Sequence, residues 1–125
     1  MPKYYSTNDE EKKDLRSFKG ALLQGQAPDR GLYMPAEIPR VKKEELLSFK
    51  DMSYPQIAKE VTKYLLEGEV PLDELERLCN DAYNFEVPIE PIFDNKYVMR
   101  LDQGPTSSFK DFAARLMARL MQYFL

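Results

Sequence analysis

A chain of 125 residues, 43% of them hydrophobic, has the length of one ordinary domain and apolar material for a modest core. Its 18 basic and 21 acidic side chains leave a net charge of −3, which argues against nucleic acid or an anionic membrane as partner. Histidine is absent and Cys79 is the single cysteine, which excludes Ser-His-Asp and Cys-His nucleophiles, His-ligated metals, an internal disulfide and a Cys-only zinc site.

The opening Met1-Pro2-Lys3-Tyr4-Tyr5 has no signal-like apolar core. No later run approaches the roughly 18 apolar residues that span a bilayer. With the lone cysteine, this points to a cytoplasmic protein in a reducing compartment. The stretch to Lys13 is polar, with Tyr4 and Tyr5 as its bulky anchors. Ser17 is placed to cap a short helix over Phe18, Ala21, Leu22 and Leu23, which Gly25 stops. Ala27 to Pro35 reads as a loop with a brief extended step, and Lys43 to Lys50 as another short helix.

Ser53-Tyr54-Pro55-Gln56 has the S-x-x-Q form of a capping box. Behind it Ile57, Val61, Tyr64 and Leu65 share one helical face, and Gly68 ends the helix. Pro71 opens the next helix, whose stripe is Leu72, Leu75, Leu78, Cys79 and Ala82. A short turn between the two predicts an antiparallel pair. Past Phe85 the composition changes. Pro88 and Pro91 among Ile89, Ile92 and Phe93 predict extended chain, Asp94-Asn95-Lys96 a turn, and Tyr97 to Leu101 a strand. From Phe109 to Leu125 apolar residues occupy almost the whole helical circumference, interrupted chiefly by Arg115, Arg119 and Gln122. Such a helix belongs inside a larger core. Either the chain forms the front portion of a larger protein, or the helix caps a small bundle or makes a dimer seam. On the first expectation, the last helix of the isolated chain would be disordered, swapped or buried by self-association.

Chemistry concentrates in Asp102-Gln103-Gly104-Pro105-Thr106-Ser107-Ser108-Phe109-Lys110-Asp111-Phe112. A strand ends, a Gly-Pro turn and a hydroxyl cluster follow, and a helix begins. Ser108 and Asp111 match an S-x-x-D capping box, which puts Lys110 in the first helical turn. There the helix dipole disfavours an ammonium, and Phe109 and Phe112 are expected to add desolvation. Both effects act downward from a reference pKa of about 10.4, toward a neutral amine that attacks aldehydes; the alternative is a surface lysine at an ordinary helix start, with Thr106 and Ser108 as caps. The hydroxyls and exposed N–H groups nearby suit an anion.

Gly104-Pro105-Thr106, then Phe109-Lys110-Asp111-Phe112-Ala113, resembles the cofactor-lysine motif of the threonine synthase family. Tyr4-Tyr5-Ser6-Thr7, Ser17-Phe18-Lys19, Ala21-Leu22-Leu23-Gln24-Gly25, Ala27-Pro28-Asp29 and Gly31-Leu32-Tyr33-Met34-Pro35 are similar, in order, to its N-terminal signature. The chain departs from the common pattern at Arg30, where a second glycine is frequent, and at Asp102-Gln103, where many members carry Phe-His. Substrate contacts from those positions are therefore not carried over.

The resemblance implies a mostly α chain with a small helical N-terminal domain over residues 1–86. Residues 87–125 would be the first strands and helix of a truncated α/β pyridoxal-phosphate domain of fold type II. It implies a lyase of threonine biosynthesis, with Lys110 as catalytic and cofactor-binding residue forming the Schiff base with pyridoxal 5′-phosphate. The implied reaction turns O-phospho-L-homoserine and water into L-threonine and phosphate, with no metal. Five scattered glycines supply no phosphate-cradling loop, so the fragment alone is expected to be inactive. The alternatives are another type II pyridoxal-phosphate lyase, or a small helical protein-interaction module without catalysis.

Overall fold

In the computed structural model, which describes residues 1–125, strand β1 (Tyr4–Ser6) pairs antiparallel with β2 (Tyr33–Pro35), Tyr4 opposite Pro35 and Ser6 opposite Tyr33. On the other edge of β1, Tyr4 exchanges two backbone hydrogen bonds with Arg16, at 2.9 and 2.8 Å. A strand this short needs anchoring from its side chains. The Tyr4 ring is buried edge-on to Phe18, and its hydroxyl donates to the Leu65 carbonyl at 2.8 Å. Burial, with Glu69 nearby, pushes the Tyr4 phenol up to about 12. The Asp29 carboxylate ties the return segment to β1, accepting from the Ser6 hydroxyl at 2.6 Å and the Gly31 N–H at 2.9 Å. Gly31 is required here because a β-carbon would sit 2.0 Å from Ser6 Oγ. Arg30 beside it is left-handed (φ 68°), a conformation that suits glycine.

Helix α1 (Phe18–Gln24) starts as expected, with Ser17 Oγ accepting from the Gly20 N–H at 3.0 Å, and stops at left-handed Gly25. Its two remaining early N–H groups, of Phe18 and Lys19, donate to the two oxygens of Glu69 at 2.7 and 2.8 Å. A carboxylate 51 positions away in sequence thus caps α1 and pins it to the turn after the third helix. Helix α2 (Lys43–Ser48) runs into a 3₁₀ turn, Phe49–Asp51, and leans on α3 (Tyr54–Leu66) through polar contacts. Glu45 pairs with Lys63 at 2.8 Å and accepts from the Tyr64 hydroxyl. Ser53 begins α3 with its N–H donated to Gln56 Oε1 at 2.7 Å.

Helix α4 (Leu72–Ala82) folds back on α3, and these two make the most extensive helix contact. Leu75, Leu78, Cys79 and Ala82 are all buried, as their spacing predicts, whereas Leu72 at the exposed start is not. The inward face of α3 differs from the expected one. Tyr54, Ala58, Leu65 and Leu66 face the core, and Val61 is 43% exposed. Small side chains let α4 approach, with Thr62 Oγ1 3.8 Å from the buried Cys79 sulfur. Tyr64 turns toward α2 instead, its hydroxyl donating to Glu45.

Strands β3 (Ile89–Phe93) and β4 (Lys96–Met99) form a hairpin, Ile89 opposite Met99 and Phe93 opposite Lys96. Asp94 and Asn95 both take positive φ (45° and 60°), the backbone of a type I′ turn. Every residue of the hairpin is exposed. Helix α5 (Asp111–Phe124) then packs on α4 and α1. Leu116 and Leu120 join Leu66, Val70, Leu75, Leu78 and Cys79 in a single core, and Phe124 lies against Phe18. The helix is therefore not disordered: it caps the chain's own core along one stripe, while Met117 and Leu125 stay exposed. No helix is long and apolar enough to cross a membrane.

Leu75→Ala lowers the unfolding free energy by about 2–5 kcal/mol and Val61→Ala by under about 1 kcal/mol, read from urea denaturation; equal losses would contradict the inward face assigned to α3. The Ser6 and Gly31 bonds hold the Asp29 carboxyl below its usual value. Its stabilisation is therefore present above the unfolded value of about 3.9 and lost as pH falls further. Asp29→Asn flattens that acid limb of the stability curve, and an unchanged slope would contradict the assignment.

Candidate functional site

The loop between β4 and α5 is held at both ends. On the hairpin side, the Arg100 N–H donates to the Pro88 carbonyl at 2.9 Å. The Arg100 guanidinium forks onto Asp102 (2.8 and 2.7 Å) and reaches Glu90 at 2.8 Å. With Gln103 donating as well, Asp102 is held well below the usual carboxylate range, and Arg100 is raised by its two acids. This knot was not visible as a unit in the sequence, because β3 and the loop are brought together only by the hairpin.

On the helix side the loop closes over Asp111. The Thr106 N–H donates to Asp111 Oδ2 at 2.9 Å, and the Ser107 N–H to the Gly104 carbonyl at 2.9 Å. Ser107 is left-handed, at φ 54°. Gly104 is buried hard against the carboxylate, where a β-carbon would stand 2.4 Å from Oδ2. This arrangement replaces the expected capping box. Asp111 turns back to Thr106, and Ser108 Oγ accepts the Lys110 N–H at 3.3 Å. Lys110 is consequently the N-cap, one step before the first turn, with helical backbone angles (φ −61°, ψ −22°). Its carbonyl accepts from Ala113 and Ala114 at 3.1 and 2.8 Å, which fixes its backbone to α5.

The Lys110 side chain is exposed and makes no ion pair. Phe109 is 67% exposed, its ring stacked 6.2 Å from Phe112. The two rings therefore do not withdraw the amine from water within residues 1–125, contrary to expectation. Phe112 looks the other way, into a cluster with Tyr54 and Phe85 at 5.9 and 5.4 Å. The Tyr83 hydroxyl donates to the Phe112 carbonyl at 2.8 Å, and burial pushes that phenol up.

Two arginines that read as interruptions of an apolar helix clamp α5 to the end of α4. Arg115 donates to the Ala82 carbonyl at 2.6 Å and to Asn84 Oδ1 at 2.8 Å, and Arg119 to Asp81 at 2.5 Å. The signal was there. The C-terminal carbonyls of α4 need donors, and Arg115 and Arg119 lie one turn apart on a single stripe.

The site therefore offers an unpaired primary amine on a braced loop-to-helix junction, beside Ser108 and Phe109 N–H groups that find no acceptor in the chain. Comparison with known proteins agrees on the family. Threonine synthase of Eremothecium gossypii is 32% identical over 136 residues, covering 100% of this chain and 27% of that protein. The Schizosaccharomyces pombe threonine synthase is 36% identical over 115 residues, covering 87% and 22% respectively. A crystal structure of pyridoxal-phosphate-bound threonine synthase from Brucella melitensis superposes with a TM-score of 0.92 at 37% identity, over 100% of this chain and 28% of that one. The chain thus spans about a quarter of the length of the curated relatives it matches. The family model for the threonine synthase N terminus matches residues 3–83, from the β1–β2 clasp to the end of α4, and the chain belongs to the threonine synthase family as its N-terminal part.

Proposed function

We propose that residues 1–125 are the N-terminal part of a threonine synthase that converts O-phospho-L-homoserine and water to L-threonine and phosphate, with pyridoxal phosphate held through Lys110. The observation that carries this reading is Lys110 itself: an exposed amine without a competing carboxylate, at a rigid junction, in a fold close to that of a pyridoxal-phosphate-bound relative. The amine fits an aldehyde cofactor by its chemistry, since a primary amine and an aldehyde condense with loss of water. When bound, pyridoxal phosphate supplies an electron sink for carbanion character at the substrate's Cα and Cβ.

This chain's own part is attachment and proton handling. Lys110 Nζ would hold the cofactor covalently, and its amine would act as a base in proton exchange with the substrate. Phe112, Tyr83 and the Arg115 clamp keep its backbone from shifting during that exchange. The division of the chain belongs to the same proposal. Residues 1–86 are a helical unit, residues 87–125 open the cofactor domain, and α5 bridges them because Leu116 and Leu120 pack in the helical core. Contacts to the cofactor's phosphate and pyridine nitrogen come from the part of the relatives' length that this chain does not span.

The test uses the longer protein that carries this segment, loaded with pyridoxal phosphate, reduced with borohydride and peptide-mapped. The label is expected on Lys110, and Lys110→Ala is expected to lose both label and threonine formation. Labelling at another lysine, or threonine formation that survives Lys110→Ala, would overturn the proposal.

A further inference from the structure

We infer that Asp111 is a positioning residue for Lys110, its carboxylate acting as the bolt that holds the Gly104–Ser108 loop over the start of α5; this rests on the cofactor role proposed for Lys110. Asp111 is the one charged side chain that is buried in the chain, at 5% exposure, and no cation pairs with it. A carboxylate is costly to bury, so its place needs a cause. The compensation is local: the Thr106 N–H at 2.9 Å and the positive end of α5, whose first residue it is.

That grip has no use for the rest of the core. It acts on the loop alone. Gly104 touches the carboxylate so closely that any larger residue would displace it. Between Gly104 and Asp111 the backbone passes through left-handed Ser107, a conformation that persists only when its surroundings hold it. Lys110 is the residue next to the bolt. One side of it is the α5 backbone, which the Ala113 and Ala114 N–H groups fix, and the other is the loop, which Asp111 fixes. Without the carboxylate the loop side is released, and the amine leaves from a frayed helix start. An asparagine keeps one oxygen to accept the Thr106 N–H and preserves the shape, so it restores positioning that alanine loses.

The experiment measures, in the longer protein with added pyridoxal phosphate, the rate at which the cofactor becomes borohydride-trapped on Lys110, together with the visible absorbance of the bound cofactor and a thermal melt. Asp111→Ala and Gly104→Ala are each expected to slow trapping by about ten- to a hundred-fold while melting remains cooperative. Asp111→Asn is expected to trap close to the parent rate. The Gly104→Ala/Asp111→Ala double variant is expected to be no slower than either single one, because both break the same contact. If Asp111→Ala does not fold, Gly104→Ala, which leaves the sequence of α5 unchanged, carries the test. Parental trapping in the folded single variants, or additive losses in the double one, overturns this inference alone. Trapping of the parent on a different lysine overturns the proposed function and this inference with it.

Discussion

Leu116 and Leu120 of α5, buried among Leu66, Leu75, Leu78 and Cys79, hold the last helix against the others. Each such leucine contributes on the order of 2 kcal/mol by leaving water. The consequence reaches past stability. Residues 83–110 contain no buried leucine, isoleucine or valine, and their hairpin is exposed on both faces. An isolated two-stranded hairpin is marginal in water. What gives the 100–110 loop a defined place is therefore the helix that follows it. With α5 seated, its N-terminus is fixed relative to α4 through Arg115, Arg119 and Tyr83, and the loop closes against Asp111.

The N-terminal signature serves the same scaffold from the far side. Ser6, Asp29 and Gly31 lock the return of the first loop, Tyr4 hangs β1 on α3, and Glu69 caps α1 across the fold. These residues hold α1 where Phe18 and Leu22 line the apolar floor beneath α5. The motif near residues 4–35 and the motif at 104–113 are thus linked mechanically through α1, α5 and the core between them.

Local signals carried much of this. Ser17 and Gly25 bound α1, Pro71 opens α4, Leu75, Leu78, Cys79 and Ala82 set its buried stripe, and Asp94-Asn95 turns the hairpin, because caps, period and turn chemistry act within a few residues. Contacts that span long separations were not legible. The Glu69 cap on α1, the Arg115 clamp on Ala82 and the Arg100–Glu90 pair each join elements that only the fold brings together. The α3 face was misread because its inward positions, Ala58 and Thr62, are small, and apolar period alone favoured Val61. At the site, Lys110 and the Gly-Pro-Thr turn were legible as a motif. Asp111 was legible only as a helix cap, since the pattern S-x-x-D does not reveal a carboxylate turned back beneath its own loop.

Native-state hydrogen exchange of the α5 amides, compared with those of α3 and α4, reads how firmly the three helices are joined. If burial of Leu116 and Leu120 unites the helices, the slowest amides of α5 exchange with the same opening free energy as those of α4, and Leu75→Ala accelerates both by one factor. Opening of α5 at markedly lower free energy, untouched by Leu75→Ala, would contradict it.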